Sequence, residues 1–423
     1  MAKPKLALIP AAQGSKLFSV LPSSGVGDFT FTRSGSATRI NSQGLIETVG
    51  NGVSRLNYPM IDGKVVGCPH HILEPQRTNL IPYSEEFDNA AWSKFRSSIS
   101  PNTAISLDGT LNADKLIDTS VSGTHGMEDT ISSLSSGSKY TYSIFAKADE
   151  IKQVGLLLAT QGRIFDLENG TILDEFIAAP DASKIEDYGN GWYRCSITIT
   201  LNATSAKTSV YLSKNNNITF TGDGTSGVYI WGAQLEVGSY LTSYIPTNGS
   251  AVTRSAETAD GSGDADTFND SEGVLMFEAN ALEENASTKR ITLSDGTSSN
   301  RLSIYLTDAI GTVAVSDGDL VLNNGFGNYD TTIFNKIALK YKQNDFALFI
   351  NGYEILTSIN GNSPIGLNQL RFNDGYSGSG AAFYGKTKQL QYYDSVLTDS
   401  ELETLTSWTS FSDMANGQLY TIE

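Results

Sequence analysis

Two cysteines and three histidines are all that 423 residues offer as soft metal ligands or neutral-pH proton carriers. Cys68 and Cys195 lie far apart, in different stretches of the chain, which speaks against a disulfide framework and for two buried thiols. His70 and His71 are adjacent, so on a strand they point to opposite faces and are poorly placed to share a metal. No Cys/His spacing suits zinc. There is no Gly-x-Ser-x-Gly elbow in a strand-to-helix context and no phosphate-binding loop. Charge is scarce too, at 18% of residues, and the net charge of −17 with no basic cluster excludes nucleic acid as a partner. No apolar run is long enough to cross a bilayer. The Leu6-Ala7-Leu8-Ile9 run after Lys3 and Lys5 is too short for an export signal, so the expectation is a soluble protein made in a cytosol, with no membrane partner.

What is abundant points to strands. Forty glycines against eleven prolines, with 39% hydrophobic residues, suit a folded chain of many short strands and tight turns. The most structured phrase lies near the C-terminus. Leu390 and Tyr392 alternate with Gln389, Gln391 and Tyr393, a strand period. Thr398 stands three residues before Glu401, a capping box, and Leu397 and Leu402 can close a hydrophobic staple. A strand leading directly into a short capped helix follows.

Three blocks are expected. Residues 1–78 carry repeated turn signals, among them Asn51-Gly52 and Asp62-Gly63, between short apolar pieces such as Phe29/Phe31 and Leu45/Ile46. Such a segment has trouble burying enough surface alone. It would gain order against a partner, against another copy, or as a β extension of the next domain. Residues 79–258 form the second block. Tyr140, Tyr142, Ile144 and Ala146 share one strand face. So do Tyr193, Cys195, Ile197, Ile199 and Leu201, with Trp192, Arg194, Ser196 and Thr198 opposite. Tyr229, Trp231, Ala233 and Leu235 are read as a third inward face. Asp260-Gly261-Ser262-Gly263-Asp264 reads as a linker to the third block, 268–423. There, Asn351-Gly352 between FALFI and YEIL predicts a type I′ hairpin. The fold class is all-β, two tandem jelly-roll sandwiches preceded by an extended N-terminal anchoring segment.

The order of phrases along the chain adds a resemblance. DFTFTRSGSATRINSQGLI (28–46), Arg55-Leu56-Asn57-Tyr58, Ile72 to Leu80, and Tyr83 to Trp92 resemble the leader of virion fibre and spike proteins of tailed bacteriophages. Tyr142 to Ala148, Gly191 to Arg194, Trp231 to Glu236 and Tyr244-Ile245-Pro246-Thr247 are similar to that family's carbohydrate-binding-module-like jelly roll. Leu348 to Gly352 and the terminal strand and helix resemble laminin-G-like or concanavalin A-like domains. The resemblance implies a structural virion component: a capsid (head) fibre, with a tail fibre or receptor-binding protein and a virion-associated polysaccharide depolymerase as the alternatives. It implies docking on capsid or other virion proteins through the leader, with Phe29, Phe31, Arg33, Leu45 and Ile46 as anchoring residues. It also implies homotrimers that hold host surface glycans by many weak contacts.

Catalytic residues are not expected. Glu272 and Glu278 straddle an apolar strand and read as solvent-facing acids at its ends rather than as a retaining-glycosidase pair. Glycan contacts need aromatic faces beside amides and carboxylates. Two Gly-containing loops supply them: Asn373, Asp374 and Tyr376 in one, Phe326, Asn328 and Tyr329 in the other. Trp192 is a further stacking candidate. No cofactor is expected, although laminin-G-like folds accommodate calcium and Asp295-Gly296 and Asp374-Gly375 place oxygens in loops.

Overall fold

In the computed structural model, residues 2–9, 12–14, 16–377, 380–410 and 412–413 are described. They form two β-sandwich lobes, with the N-terminal block built into both.

The middle lobe follows the alternation of its strands. Ser138–Ala148 turns Tyr140, Tyr142, Ile144 and Ala146 inward, and Trp192–Leu201 adds Cys195, Ile197, Ile199 and Leu201. Both strands belong to a six-stranded antiparallel sheet ordered 97–105, 111–118, 227–237, 138–148, 192–201, 182–187. A second six-stranded sheet, 93–95, 126–132, 205–213, 153–158, 161–166, 171–176, faces it and contributes Leu156, Val210 and Leu212 to the shared core. Trp231 departs from the expected inward face. A bulge at Gly232 (φ +63°) shifts the register, so Ala233 and Leu235 enter the core while Trp231 packs on the outer face against Phe145.

In the C-terminal lobe a five-stranded sheet is ordered 319–326, 310–316, 301–306, 289–294, 369–371. It packs Ile291, Leu293, Leu302, Ile304 and Leu306 against Leu275, Phe277, Leu339, Leu348, Leu390 and Tyr392 of the larger sheet. The hairpin is as expected: Asn351 and Gly352 both have positive φ (51° and 90°), and Ile350 pairs with Tyr353. The helix Asp399–Thr406 starts at Thr398, whose side chain accepts from Glu401 N while the Glu401 carboxylate accepts from Thr398 N at 3.0 Å. Leu397 and Leu402 are buried together with Met276 and Phe349, seating the helix on the outer face of the larger sheet.

That larger sheet recruits the N-terminus. Its order is 353–358, 346–350, 335–342, 272–281, 385–393, 70–73, 56–57, with Leu6–Leu8 also paired to Gly385–Tyr393. The block 1–78 therefore supplies three strands to a sheet whose other members lie some two hundred or more residues further along. Phe29–Thr32 pairs with Thr258–Asp260, and Leu17, Phe29 and Phe31 enter the C-terminal core. The hairpin Ala37–Ile40/Ile46–Val49 turns the other way and buries Ile46 against Trp192, Trp231 and Tyr244 of the middle lobe. The expected linker is also packed. Ser262 is fully buried and donates to Gly27 O at 2.7 Å, and a Cβ at Gly263 would overlap the Phe268 ring. Small residues there permit close approach rather than mobility.

A buried ionic cluster ties these parts together. Arg55, fully buried, donates through Nε to Glu257 Oε1 at 2.8 Å and through Nη2 to Glu257 Oε2 and to Glu74 Oε2, the latter at 2.7 Å. Arg33 reaches Glu257 at 2.8 Å and Arg254 reaches Glu74 at 2.8 Å. Ser243 of the middle lobe donates its N–H and hydroxyl to the two Glu74 oxygens at 2.8 and 2.6 Å. The two flanking arginines hold the Glu74 carboxyl far below the usual range against the opposing effect of burial, so it stays ionised. Every charge here has an opposite charge and further hydrogen bonds, the condition under which burial is tolerated.

Two predictions follow from this arrangement. Arg55→Met leaves two carboxylates short of a partner and is expected to lower stability by about 3–5 kcal/mol in urea unfolding, whereas Arg163→Ala at the half-exposed Arg163–Glu175 pair stays within about 1 kcal/mol. Stability should also fall with acid before ordinary carboxylates titrate. Burial, and then the Arg55 charge, push His71 from 6.5 down to about 3, so the folded state keeps it neutral while the unfolded chain protonates. The contribution is complete above pH 6.5 and is lost progressively towards pH 3, by up to about 1.4 kcal/mol per pH unit. A midpoint that stays flat from pH 6.5 to 5 would contradict it.

Candidate binding site

The outer face of the five-stranded sheet presents a set of aromatic and cationic side chains. Inward Leu302, Ile304 and Leu306 force Arg301, Ser303 and Tyr305 outward on the same strand. Arg290 lies directly across from Tyr305, and Thr292 across from Ser303. The Arg290 guanidinium sits 5.7 Å from the centre of the Tyr305 ring, and that of Arg301 sits 5.1 Å from the Tyr376 ring. Both distances lie in the range of cation–π attraction.

Glycines make room for the Tyr305 ring. A Cβ at Gly311 would overlap it, and one at Gly325 would stand 2.8 Å from its hydroxyl oxygen. With no side chain at these two positions on the next two strands of the sheet, the ring can lie down across them. The Nε atoms of Arg290 and Arg301 are buried and have no hydrogen-bond partner. Burial lowers the Arg301 pKa, Tyr376 offsets this, and Arg290 adds a repulsive contribution, so the two guanidiniums sense each other across the face. Burial raises the Tyr305 phenol, opposed by Arg290. The face offers two aromatic surfaces and unsatisfied donors, which suits a ligand rich in oxygen acceptors with one apolar side.

The residues singled out from sequence distribute unevenly around this face. Tyr376 is 42% exposed and belongs to it. Asn373 and Asp374 are buried and shape the turn beneath Tyr376. Asn373 Nδ2 donates to Asp260 at 2.8 Å, and Asp374 Oδ1 accepts from the N–H groups of Tyr376 and Ser377 at 3.2 and 3.0 Å. They position the tyrosine rather than meet a ligand. Phe326 closes the strand Asp319–Phe326 instead of lying in a loop, and with Tyr329 it packs partly against the core. Asn328 is exposed.

Trp192 is not available as a platform. It is 2% exposed beneath the leader hairpin, and its Nε1 donates to Ile105 O at 3.2 Å. The anchoring residues are likewise inside the molecule. Phe29, Phe31, Arg33 and Ile46 are buried, and Leu45 is half-buried, because the chain itself supplies the surface they cover. Of the thiols Cys195 is buried, but Cys68 is exposed, against expectation. Asp295 Oδ1 accepts from Thr297 N at 2.7 Å, and among the described residues no group of three His, Cys, Asp or Glu side chains converges on a metal position. Glu272 pairs with Lys342 at 2.7 Å and Glu278 accepts from Gln389 at 2.6 Å. Glu272 stands at the start of its strand, whereas Glu278 lies within it and is buried, against the expectation of a solvent-facing acid.

Tyr305, Arg290 and Arg301 were missed from sequence, although the signal was present. The polar face of the strand Arg301–Leu306 reads Arg-x-Ser-x-Tyr. What the sequence does not display is that Gly311 and Gly325 come to lie beside Tyr305.

The chain matches no family model and no curated protein. Among solved structures it is similar to the CBM40 module of the Ruminococcus gnavus IT-sialidase bound to α2,3-sialyllactose. The identity is 21%, over 35% of this chain and 94% of that one, with a TM-score of 0.31. It is also similar to domains LG4-5 of the mouse laminin α1 chain (9% identity, 64% of this chain, 86% of that one, TM-score 0.24). A third is the CBM22-1–CBM22-2 tandem of Xyn10C from Paenibacillus barcinonensis (10%, 74%, 97%, TM-score 0.24).

Proposed function

We propose that this chain is a non-catalytic glycan-binding protein displayed on a tailed-phage particle as a capsid (head) fibre. The observation that carries the binding part is the pair of tyrosine–arginine stacks, Tyr305 with Arg290 and Tyr376 with Arg301, on one face of the C-terminal lobe. A pyranose laid on the Tyr305 ring has the Arg290 guanidinium beside it to donate to its hydroxyls. The face offers stacking and hydrogen bonding, and the acids expected of a glycanase are engaged elsewhere, which favours holding over cleaving.

The virion part of the reading is supported by the ordered leader phrases in the sequence. The leader is consumed inside its own chain, so docking on a particle falls to its exposed apolar side chains, Ile9, Val20 and Val26 (53%, 49% and 37% exposed). A homotrimer multiplies a weak single-site contact into firm attachment.

A glycan array probed with the full-length protein tests the proposal. Binding to a defined subset of glycans is expected, carried by a discrete homotrimer. Tyr305→Ala should weaken it roughly tenfold, the worth of one aromatic stack. Gly325→Ala, which crowds the phenol, should weaken it by less. Release of reducing ends from a bound polysaccharide, or binding indifferent to Tyr305→Ala, would overturn it.

A further inference from the structure

A cleft of about 670 Å³ lies between the lobes, walled by the leader, the outer face of the Ser138–Ala148 sheet and the C-terminal lobe. Its size is that of a small-molecule site. It is separate from the tyrosine face, sharing none of its residues.

Two cations on its walls form no ion pair with any described residue, and the one carboxylate that attracts both, Glu186, is already paired with Lys184. Arg194, 3% exposed, is held by its contacts: Nη1 donates to Thr242 O at 2.9 Å, Nη2 to Ser143 Oγ at 3.3 Å, and the guanidinium lies 5.1 Å from the Phe145 ring centre. None of these is a carboxylate, and Arg194 Nε has no partner. Lys386, from the C-terminal lobe, forms no ion pair with any described residue. Burial, and then the nearby Lys184 ammonium, lower its pKa.

The acids of the cleft are already committed. Glu186 pairs with Lys184 at 2.7 Å, Glu74 is held by Arg55 and Arg254, and Asp187 Oδ1 accepts from Gly189 N at 2.7 Å. Two further polar atoms on the wall, His70 Nδ1 and Ser183 Oγ, are buried without a partner. His70 is 1% exposed, and burial, with Lys386 and Lys388 adding to it, holds it neutral, so it does not add to the positive charge. In a chain of net charge −17, a cleft with two cations outside any ion pair is a local reversal of sign. Unpaired buried charge is costly, and an anion relieves it.

We propose that the interlobe cleft binds a small polar molecule carrying an oxyanion, a carboxylate or a sulfate, seated between Arg194 and Lys386. The unpartnered His70 Nδ1 and Ser183 Oγ take its hydroxyl groups. The ligand would touch both lobes and the leader at once, so its binding would also strengthen their association.

Calorimetric titration of the full chain with glucuronic acid, glucose 6-sulfate and glucose tests this. At least one of the two acids should bind, glucose at least tenfold more weakly, and the anion's affinity should fall as salt is added. The acid preferred identifies the oxyanion. Lys386→Gln should reduce the anion's affinity about tenfold without lowering the melting temperature, while Tyr305→Ala leaves the affinity as it was. Salt dependence in the unmodified protein stands as a second readout should Lys386→Gln not fold. Failure of both acids to bind, binding equal to that of glucose, or affinity insensitive to both salt and Lys386→Gln would overturn the proposal. Loss of array binding in Tyr305→Ala with cleft binding intact separates the two sites.

Discussion

A guanidinium with no access to solvent, that of Arg55, sets the terms for the rest of the molecule. Once it is buried, Glu257 and Glu74 must be brought to it, and those two come from the segment after the middle lobe and from the end of the leader. Arg33 and Arg254 then complete the carboxylates, and Ser243 ties the set to the middle lobe. An assembly of this kind does not necessarily add net stability over an apolar core of equal volume, but it tolerates no missing member. Its value here is registration: it fixes the leader against the middle lobe and the Arg254–Glu257 segment that follows it.

That arrangement decides which surfaces remain free. The leader hairpin covers Trp192 and Trp231, the two aromatics best suited by size to stack on a sugar in the middle lobe. The outer face of the five-stranded sheet is left open, and there Tyr305 and Tyr376 stand with their arginines. Between the lobes the same docking leaves a cleft lined from three parts of the chain. Neither site is assembled from one contiguous stretch of sequence, and the cleft exists only because the leader and the lobes are locked together.

Local features were legible from the residues alone. The Thr398/Glu401 box, the Leu397/Leu402 staple, the Asn351-Gly352 turn and the inward face of Trp192–Leu201 each depend on residues within a few positions of one another. What was not legible depends on distant partners. Leu6–Leu8 reads as a short apolar run until Gly385–Tyr393 is placed beside it. The Gly232 bulge reverses the face of Trp231 for a reason that strict alternation does not contain. On the outer face of the five-stranded sheet, the Asn-Asp-Gly-Tyr turn was noticed for its polar groups, yet Asn373 and Asp374 serve the turn and Tyr376 alone of the three reaches the surface.

The central claim is that the leader is a structural member of its own chain, held by the Arg55 cluster, rather than a tail that becomes ordered on a partner. Native-state hydrogen exchange on the isolated full-length protein addresses this directly. The account predicts that amides of His71 to Glu74 are as strongly protected as those of Thr387 to Tyr392 in the adjoining strand, because both open only with the lobe. Leader amides exchanging at the rate of a free chain while Thr387 to Tyr392 stay protected would contradict it.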